Sequence, residues 1–281
     1  MIFRILLSLL LFAGVLQAQG VYTGADKEIC NSKFTIALQK NLKDKPVNEI
    51  IAEIGKSFIG TPYEAGSLEV QGDEQLVVHL SGLDCYTFLE NTIVIARCVK
   101  EGKTDFEDYL KELMNIRYRG GKMSDYTSRL HYFTDWIYDC SKRGIVTNVT
   151  AEAGGVSYYR IINFMSTHPA SYRQLKENPE FVETIKMFEQ EISARKNYFI
   201  PEEKLQDQED KIKNGDLIAI TTSIEGLDVS HVGIAVKKES GRVHLMHAPS
   251  PGKKVQISEL PLEDLLKANK KQTGVIVIRV N

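Results

Sequence analysis

Apolar residues recur every three or four positions between residues 47 and 58, where Val47, Ile50, Ile51, Ile54 and Phe58 share one side of a helix. Pro46 suits its first turn, and Gly60 followed by Thr61-Pro62-Tyr63 stops it, because the residue before a proline avoids helical geometry. The same spacing returns between 85 and 100 through Phe88, Leu89, Thr92, Ile93, Ala96 and Val99. With Asp84 as N-cap and Gly102 as stop, it predicts a helix that begins at Cys85. Residues 105 to 200 read as mainly helical, the longest candidates being 105–118, 126–140 and 179–199, with 154–159 as a strand or loop between them. After Gly215 the period shortens. Residues 216–220, 231–236, 242–248, 255–257 and 274–280 read as short strands bounded by turn residues, with a short helix at 261–269. Helices first and strands later predict an α+β fold in which N-terminal helices pack on an antiparallel sheet.

The first 18 residues break this pattern. Arg4 precedes an apolar stretch from Ile5 to Leu16, and Gln17-Ala18-Gln19 follows, which predicts a secretory signal peptide cleaved after Ala18. A dozen apolar residues fall short of the roughly 20 that a membrane-spanning helix needs. The expected mature protein is therefore a single catalytic domain from 19 to 281, exported to the periplasm or beyond, with no stable membrane insertion. Without the leader it carries 34 basic against 37 acidic side chains, too balanced to favour nucleic acid as a partner. Of Cys30, Cys85, Cys98 and Cys140, a reactive Cys85 would leave three, so one disulfide at most is expected.

Cys85 has the placement a nucleophile needs. A thiol attacks carbonyl carbon as thiolate, and the unpaired N–H groups and dipole of a helix N-terminus favour that charge. A thiol pKa below the ordinary value is the expectation from that position. Cys98, about 220° around the same helix at 100° per residue, reads as a structural thiol. The base can come from a strand, and Ser230-His231-Val232-Gly233-Ile234-Ala235-Val236 offers His231 on the face opposite Val232, Ile234 and Val236. His244 has the opposite parity to His247, and His79 and His168 read as loop histidines. Asp216 reads as structural, the acidic run from 202 to 210 as a solvated face, and no set of ligands at metal-binding spacing is present.

In chain order, Ile59-Gly60-Thr61-Pro62-Tyr63, Leu83-Asp84-Cys85, Asn214-Gly215-Asp216-Leu217-Ile218, Ser230-His231-Val232-Gly233-Ile234 and Met246-His247-Ala248-Pro249-Ser250 resemble the NlpC family of papain-like cell-wall cysteine peptidases. The resemblance implies a papain-like NlpC fold interrupted by a large helical insertion at about 101–213. It implies Cys85 as nucleophile, His231 as base and acid, His247 as the group that orients His231, and Tyr63 lining the substrate site. It also implies a peptidoglycan stem peptide or muropeptide as substrate, and no cofactor. Where the family usually continues Asp-Cys with Ser-Gly, this chain has Tyr86-Thr87, wording that resembles the N-acetylmuramoyl-L-alanine amidase-like branch. A γ-D-glutamyl-diamino acid endopeptidase is the alternative within the same chemistry, and a non-catalytic peptidoglycan-binding module the alternative outside it. Asp84 and Tyr86 flank the nucleophile, and Arg129 and His131 of the insertion offer a cation and a donor for a ligand with carboxylates. These four join Tyr63 as expected substrate contacts.

Strand parity adds a geometric expectation. In an antiparallel hairpin of 231–237 and 242–248, paired residues have a constant index sum, and the two histidines share a face only when that sum is even. A five-residue loop gives 478 and sets them directly opposite each other. A three-residue loop, 239–241, gives 480 and makes them diagonal neighbours. Either arrangement is expected to turn both imidazoles toward Cys85 and the face of Val232, Ile234 and Val236 away from it.

Overall fold

The computed structural model describes residues 20–250 and 253–281, so the apolar leader lies outside the described residues. The chain opens with helices α1 (Gly24–Gln39), α2 (Val47–Ser57), α3 (Cys85–Glu101), α4 (Phe106–Arg117) and α5 (Phe133–Lys142). Strands β1 (Val146–Asn148) and β2 (Val156–Tyr158) precede α6 (Phe164–Thr167), α7 (Arg173–Glu177) and α8 (Pro179–Ser193). Then come β3 (Asn197–Pro201), β4 (Leu217–Thr222), β5 (Val229–Lys237), β6 (Val243–His247), β7 (Gln256–Ile257), α9 (Leu262–Lys267) and β8 (Gln272–Val280). The strands form one sheet in the order β2-β3-β8-β4-β5-β6-β7, with β1 also on β8, and all named pairs are antiparallel. None of the described helices is long and apolar enough to cross a membrane.

Side-chain alternation gives the sheet two buried faces. Leu217, Ala219, Val232, Ile234, Val236, Met246, Ile276 and Ile278 pack against Ile50, Ile51, Ile54, Phe58, Phe88 and Leu89 of the N-terminal helices. Ile218, Ile220, Ala235, Val243, Leu245, Val275 and Val277 pack against Leu262 and Leu266 of α9. Burying each such aliphatic side chain is worth about 1.5–3 kcal/mol, so the helix-facing surface is the stronger constraint on where α3 sits. The turn into β4 passes so close to α2 that a Cβ on Gly215 would lie 1.9 Å from the Asn48 carbonyl oxygen; with φ at +86°, only glycine fits.

The expected insertion does not stand apart. Tyr109, Leu113, Ile116, Trp136, Ile137 and Cys140 of α4 and α5 belong to the same core as α2 and α3, while residues from 162 to 192 build a smaller core together with Tyr126 and Tyr132. It also lends β1, β2 and β3 to the sheet, although the pattern predicts helix up to 199. Strands of three to five residues are too short to declare a period, and β3 gains its identity from β8 rather than from its own sequence. The predicted helix at 126–140 is likewise shorter. Asp125 caps a single tight turn at Tyr126–Ser128, and α5 starts only at Phe133. The acidic run is not wholly solvated either: Glu209 is buried, pairing with Arg242 at 3.0 Å.

Candidate active site

Cys85 is the first residue of α3, and its neighbours fix that start. Asp84 is extended, and its Oδ1 accepts hydrogen bonds from the Thr87 N–H and hydroxyl, each at 2.8 Å, while the Asp84 N–H donates to the Thr87 hydroxyl at 2.9 Å. This reciprocal cap leaves the Cys85 thiol at the helix mouth, half-buried. Thr87 is thus the residue that closes the cap, and it takes up Oδ1 of Asp84. Tyr86 also departs from expectation. Its ring meets Phe133 edge to face at 6.3 Å and its hydroxyl is buried near Glu90 and Arg117, inside the protein.

The segment that delivers Cys85 is clamped from several sides. Tyr63 is held by two strand-like contacts, its N–H donating to the Lys253 carbonyl at 2.9 Å while Leu83 N–H donates to the Pro62 carbonyl at 3.0 Å. Downstream, Leu80 N–H donates to Asp26 at 2.7 Å, and Arg117 donates to the Val77 carbonyl at 2.6 Å. Arg117 and Glu90, both buried, pair at 2.6 Å; removing one partner of such a pair strands a charge at a cost of about 3–5 kcal/mol. Arg129 donates to Glu74 and Glu69 at 2.8–3.0 Å and is 8% exposed. The insertion therefore spends Arg129 on the protein's own loop, where the sequence suggested a ligand contact. His131 is tied to the Tyr126 carbonyl at 2.8 Å, and burial with nearby Arg129 pushes its pKa down to about 3. Its role too is internal.

The β5–β6 hairpin has the register sum of 480, with Val236 opposite His244 and Lys237 opposite Val243, closed by the three-residue loop 239–241. His231 and His247 accordingly lie diagonally on one face, and His231 Nε2 meets His247 Nδ1 at 2.7 Å with the rings at 81°. The face relative to α3 is the reverse of the expectation. Val232, Ile234 and Val236 face the helices, and the nominal histidine face looks the other way. The physical reason is the amount of apolar surface on α2 and α3, which the β-branched residues cover better than His231, Gly233 and Ala235 can. A bulge lies directly before the first histidine: β4 pairs Ile220 with His231 but Thr221 with Val229, so Ser230 is an extra residue next to His231. Such a bulge bends the strand and re-aims the adjacent side chain.

Electrostatics leave these groups uncharged at rest. Burial, reinforced by the Asp84 carboxylate, pushes the Cys85 thiol up to about 12, against the opposing pull of the Val232, Tyr86 and Cys85 N–H groups. Burial lowers His231 to about 4, and burial with the neighbouring His231 and Lys253 lowers His247 to about 3. The helix terminus does not yield the low thiol pKa expected of it, because desolvation of the charged form outweighs the dipole. The Val232 N–H acting on the sulfur sets Cys85 against the strand one residue beyond His231. No hydrogen bond joins the thiol to either imidazole among the described residues; such catalytic contacts commonly tighten only with substrate bound. Tyr63, whose own pKa is raised by burial, Cys85 and Asp84, completes the near side.

Asp228 escaped the sequence reading. Its carboxylate accepts from the Thr134 N–H and hydroxyl, both at 2.8 Å, and so caps α5 from 94 residues away while fixing the entry to β5 three residues before His231. Only the fold brings those positions together. His244 Nδ1–H donates to the Ser258 carbonyl at 2.9 Å on the other face, and Arg279 donates to Asp216 at 2.7–2.8 Å, both structural. Cys30, Cys98 and Cys140 are buried free thiols.

An imidazole that stays neutral well below the ordinary histidine range has a measurable signature if it takes part in turnover. We expect kcat/KM to remain flat from about pH 8 to about pH 5 and to fall only as pH approaches about 4, where His231 gains its proton. An acid limb centred near the ordinary value of 6.5 would show that His231 is solvated in the free enzyme.

A profile of the family described as AmiA-like, N-acetylmuramoyl-L-alanine amidase-like, matches residues 53–275. Among solved structures, an N-acetylmuramoyl-L-alanine amidase from Bacteroides uniformis is 38% identical, spans 84% of this chain and 99% of its own, and superposes with a TM-score of 0.80. A Bacteroides fragilis protein named as a candidate xylanase is 40% identical over 80% of this chain and 98% of its own, with a TM-score of 0.76. A Legionella pneumophila protein at 21% identity shares the fold over 92% of this chain and 97% of its own, with a TM-score of 0.67. No curated protein matches the chain.

Proposed function

This chain belongs to the N-acetylmuramoyl-L-alanine amidase-like family, and from that premise we propose that it is an exported cysteine amidohydrolase of NlpC-like, papain-type architecture. Its target is the amide between N-acetylmuramic acid and L-alanine in peptidoglycan. The observation that carries the reading is the pairing of a half-buried thiol at a capped helix mouth with the His231–His247 contact of 2.7 Å on the adjoining strand.

With Nδ1 of His247 as acceptor, Nε2 of His231 carries the hydrogen and its Nδ1 keeps a lone pair for the thiol proton. Because thiol and imidazole are both neutral at rest, proton transfer accompanies attack of sulfur on the carbonyl carbon instead of preceding it. The oxyanion draws on the Cys85 N–H and the Tyr63 hydroxyl. The C–N bond then breaks as the His231 imidazolium gives its proton to the leaving amine, and a thioester remains on Cys85. His231 next takes a proton from water, hydroxide adds to the thioester, and the acid leaves with the thiol restored. His247 steadies the imidazolium in both halves.

The xylanase name borne by one similar protein does not suit this site. Glycosidases generally work with two carboxylates flanking the bond, whereas here Asp84 is committed to its cap and Glu64 to His79 at 2.9 Å. Digestion of defined muropeptides followed by mass spectrometry tests the reading: release of the sugar from an intact peptide is expected. Fragments cut between D-glutamate and the diamino acid would move the chemistry to the endopeptidase bond, and unchanged substrate would leave a binding module.

A further inference from the structure

We propose that Lys253 is the specificity residue of this site, binding a free carboxylate on the peptide that leaves. The inference rests on the acyl-transfer reading above. Lys253 is placed by backbone contacts on both sides of the site. Its carbonyl accepts from Tyr63, and two residues on, Val255 N–H donates to the Thr61 carbonyl at 2.8 Å while the Val255 carbonyl accepts from Gly60 at 2.9 Å. The chain then enters β7, where Gln256 pairs directly with His247. Lys253 therefore stands between Tyr63 and the histidine pair, and its positive charge is felt at His247.

The side chain is exposed, and among the described residues its ammonium makes no hydrogen bond or ion pair. Cys85, His231 and His247 are uncharged at rest, and the Asp84 carboxylate is bonded to Thr87 and forms no salt bridge with Lys253. A bare cation beside a neutral catalytic set is matched to an anion on the ligand. Which part of the ligand follows from the mechanism. His231 protonates the departing amine, so the departing peptide lies on the histidine side, where Lys253 is. A stem peptide supplies a carboxylate there, the free α-carboxyl of its γ-linked D-glutamyl residue. Lys254, one residue on in extended backbone, points the opposite way and serves as the control.

The test uses two N-acetylmuramoyl peptides that differ only in whether that glutamyl α-carboxyl is a carboxylate or a carboxamide. For the full-length enzyme, Lys253→Met is expected to raise KM for the carboxylate substrate about 10-fold, leaving kcat within about 2-fold and the carboxamide substrate unaffected. Lys253→Arg restores most of the loss, and Lys254→Met causes none. An equal loss on both substrates, or no loss on either, overturns the inference. Titration calorimetry on Cys85→Ala protein, with and without Lys253→Met, separates this result from the activity. A carboxylate preference in Kd that vanishes with Lys253 upholds the lysine even if the intact enzyme does not turn over, whereas turnover with no Lys253-dependent preference removes the lysine and keeps the reaction.

Discussion

Cys85→Ala is expected to lose at least about 10⁴-fold in kcat on muropeptides while melting within a few degrees of the parent protein. The size of the loss follows from chemistry: the sulfur is the only atom at the helix mouth that can form the thioester, and neither neutral imidazole replaces it. The small effect on stability follows from position. Cys85 is half-buried, and the cap that starts α3 is made by Asp84 and Thr87, which the substitution does not touch. Activity assays paired with thermal denaturation give both numbers. A Cys85→Ala enzyme with substantial turnover would falsify the cysteine mechanism. Alkylation offers a second view, with its basis changed from the one the sequence suggested. Cys98 is also pushed up to about 12, so any preference of iodoacetamide for Cys85 comes from access rather than acidity, Cys98 being only 3% exposed.

His231→Gln is expected to lower kcat by about 10³–10⁴-fold, because the proton of the thiol then has no acceptor and the leaving amine no donor. The neighbouring histidine separates orientation from proton transfer. His247→Asn keeps a side-chain oxygen that can accept from His231 Nε2 and should retain most activity, whereas His247→Leu removes the acceptor and should cost about 10²-fold. His244→Ala provides the contrast on the same strand: it forfeits a contact with the Ser258 carbonyl, worth about 1 kcal/mol, and leaves the rate unchanged. Steady-state kinetics on the four variants decides between these roles. Equal losses in His247→Asn and His247→Leu would mean that His247 acts through packing and not as an acceptor.

Much of this arrangement is legible in the residues themselves, because it depends on local rules. Period and capping residues set α2 and α3, and Asp84 with Cys85 marks where the second begins. Parity set the possible relations of His231 and His247 before any coordinates, since strand alternation allows only even or odd register sums, and the observed 480 is one of the two options that keep the imidazoles together. The Asp84-Cys85-Tyr86-Thr87 wording leads to the amidase-like family that the profile over residues 53–275 and the 38% identical amidase indicate.

What tertiary structure alone decided are the properties that depend on distant neighbours. The sheet face against α3 was settled by competition between two apolar surfaces, which no single strand encodes. Arg129 advertises ligand binding by residue type, yet Glu69 and Glu74 reach it first, and only the fold brings those partners within 3.0 Å, whereas His131 is taken up locally by the Tyr126 carbonyl five residues back. Asp228 reached Thr134 across 94 positions, and Lys253 reached the site through pairing with Tyr63. The thiol pKa makes the same point. A helix N-terminus can be read from sequence and argues for a thiolate, but the desolvation that keeps Cys85 protonated comes from everything packed around it.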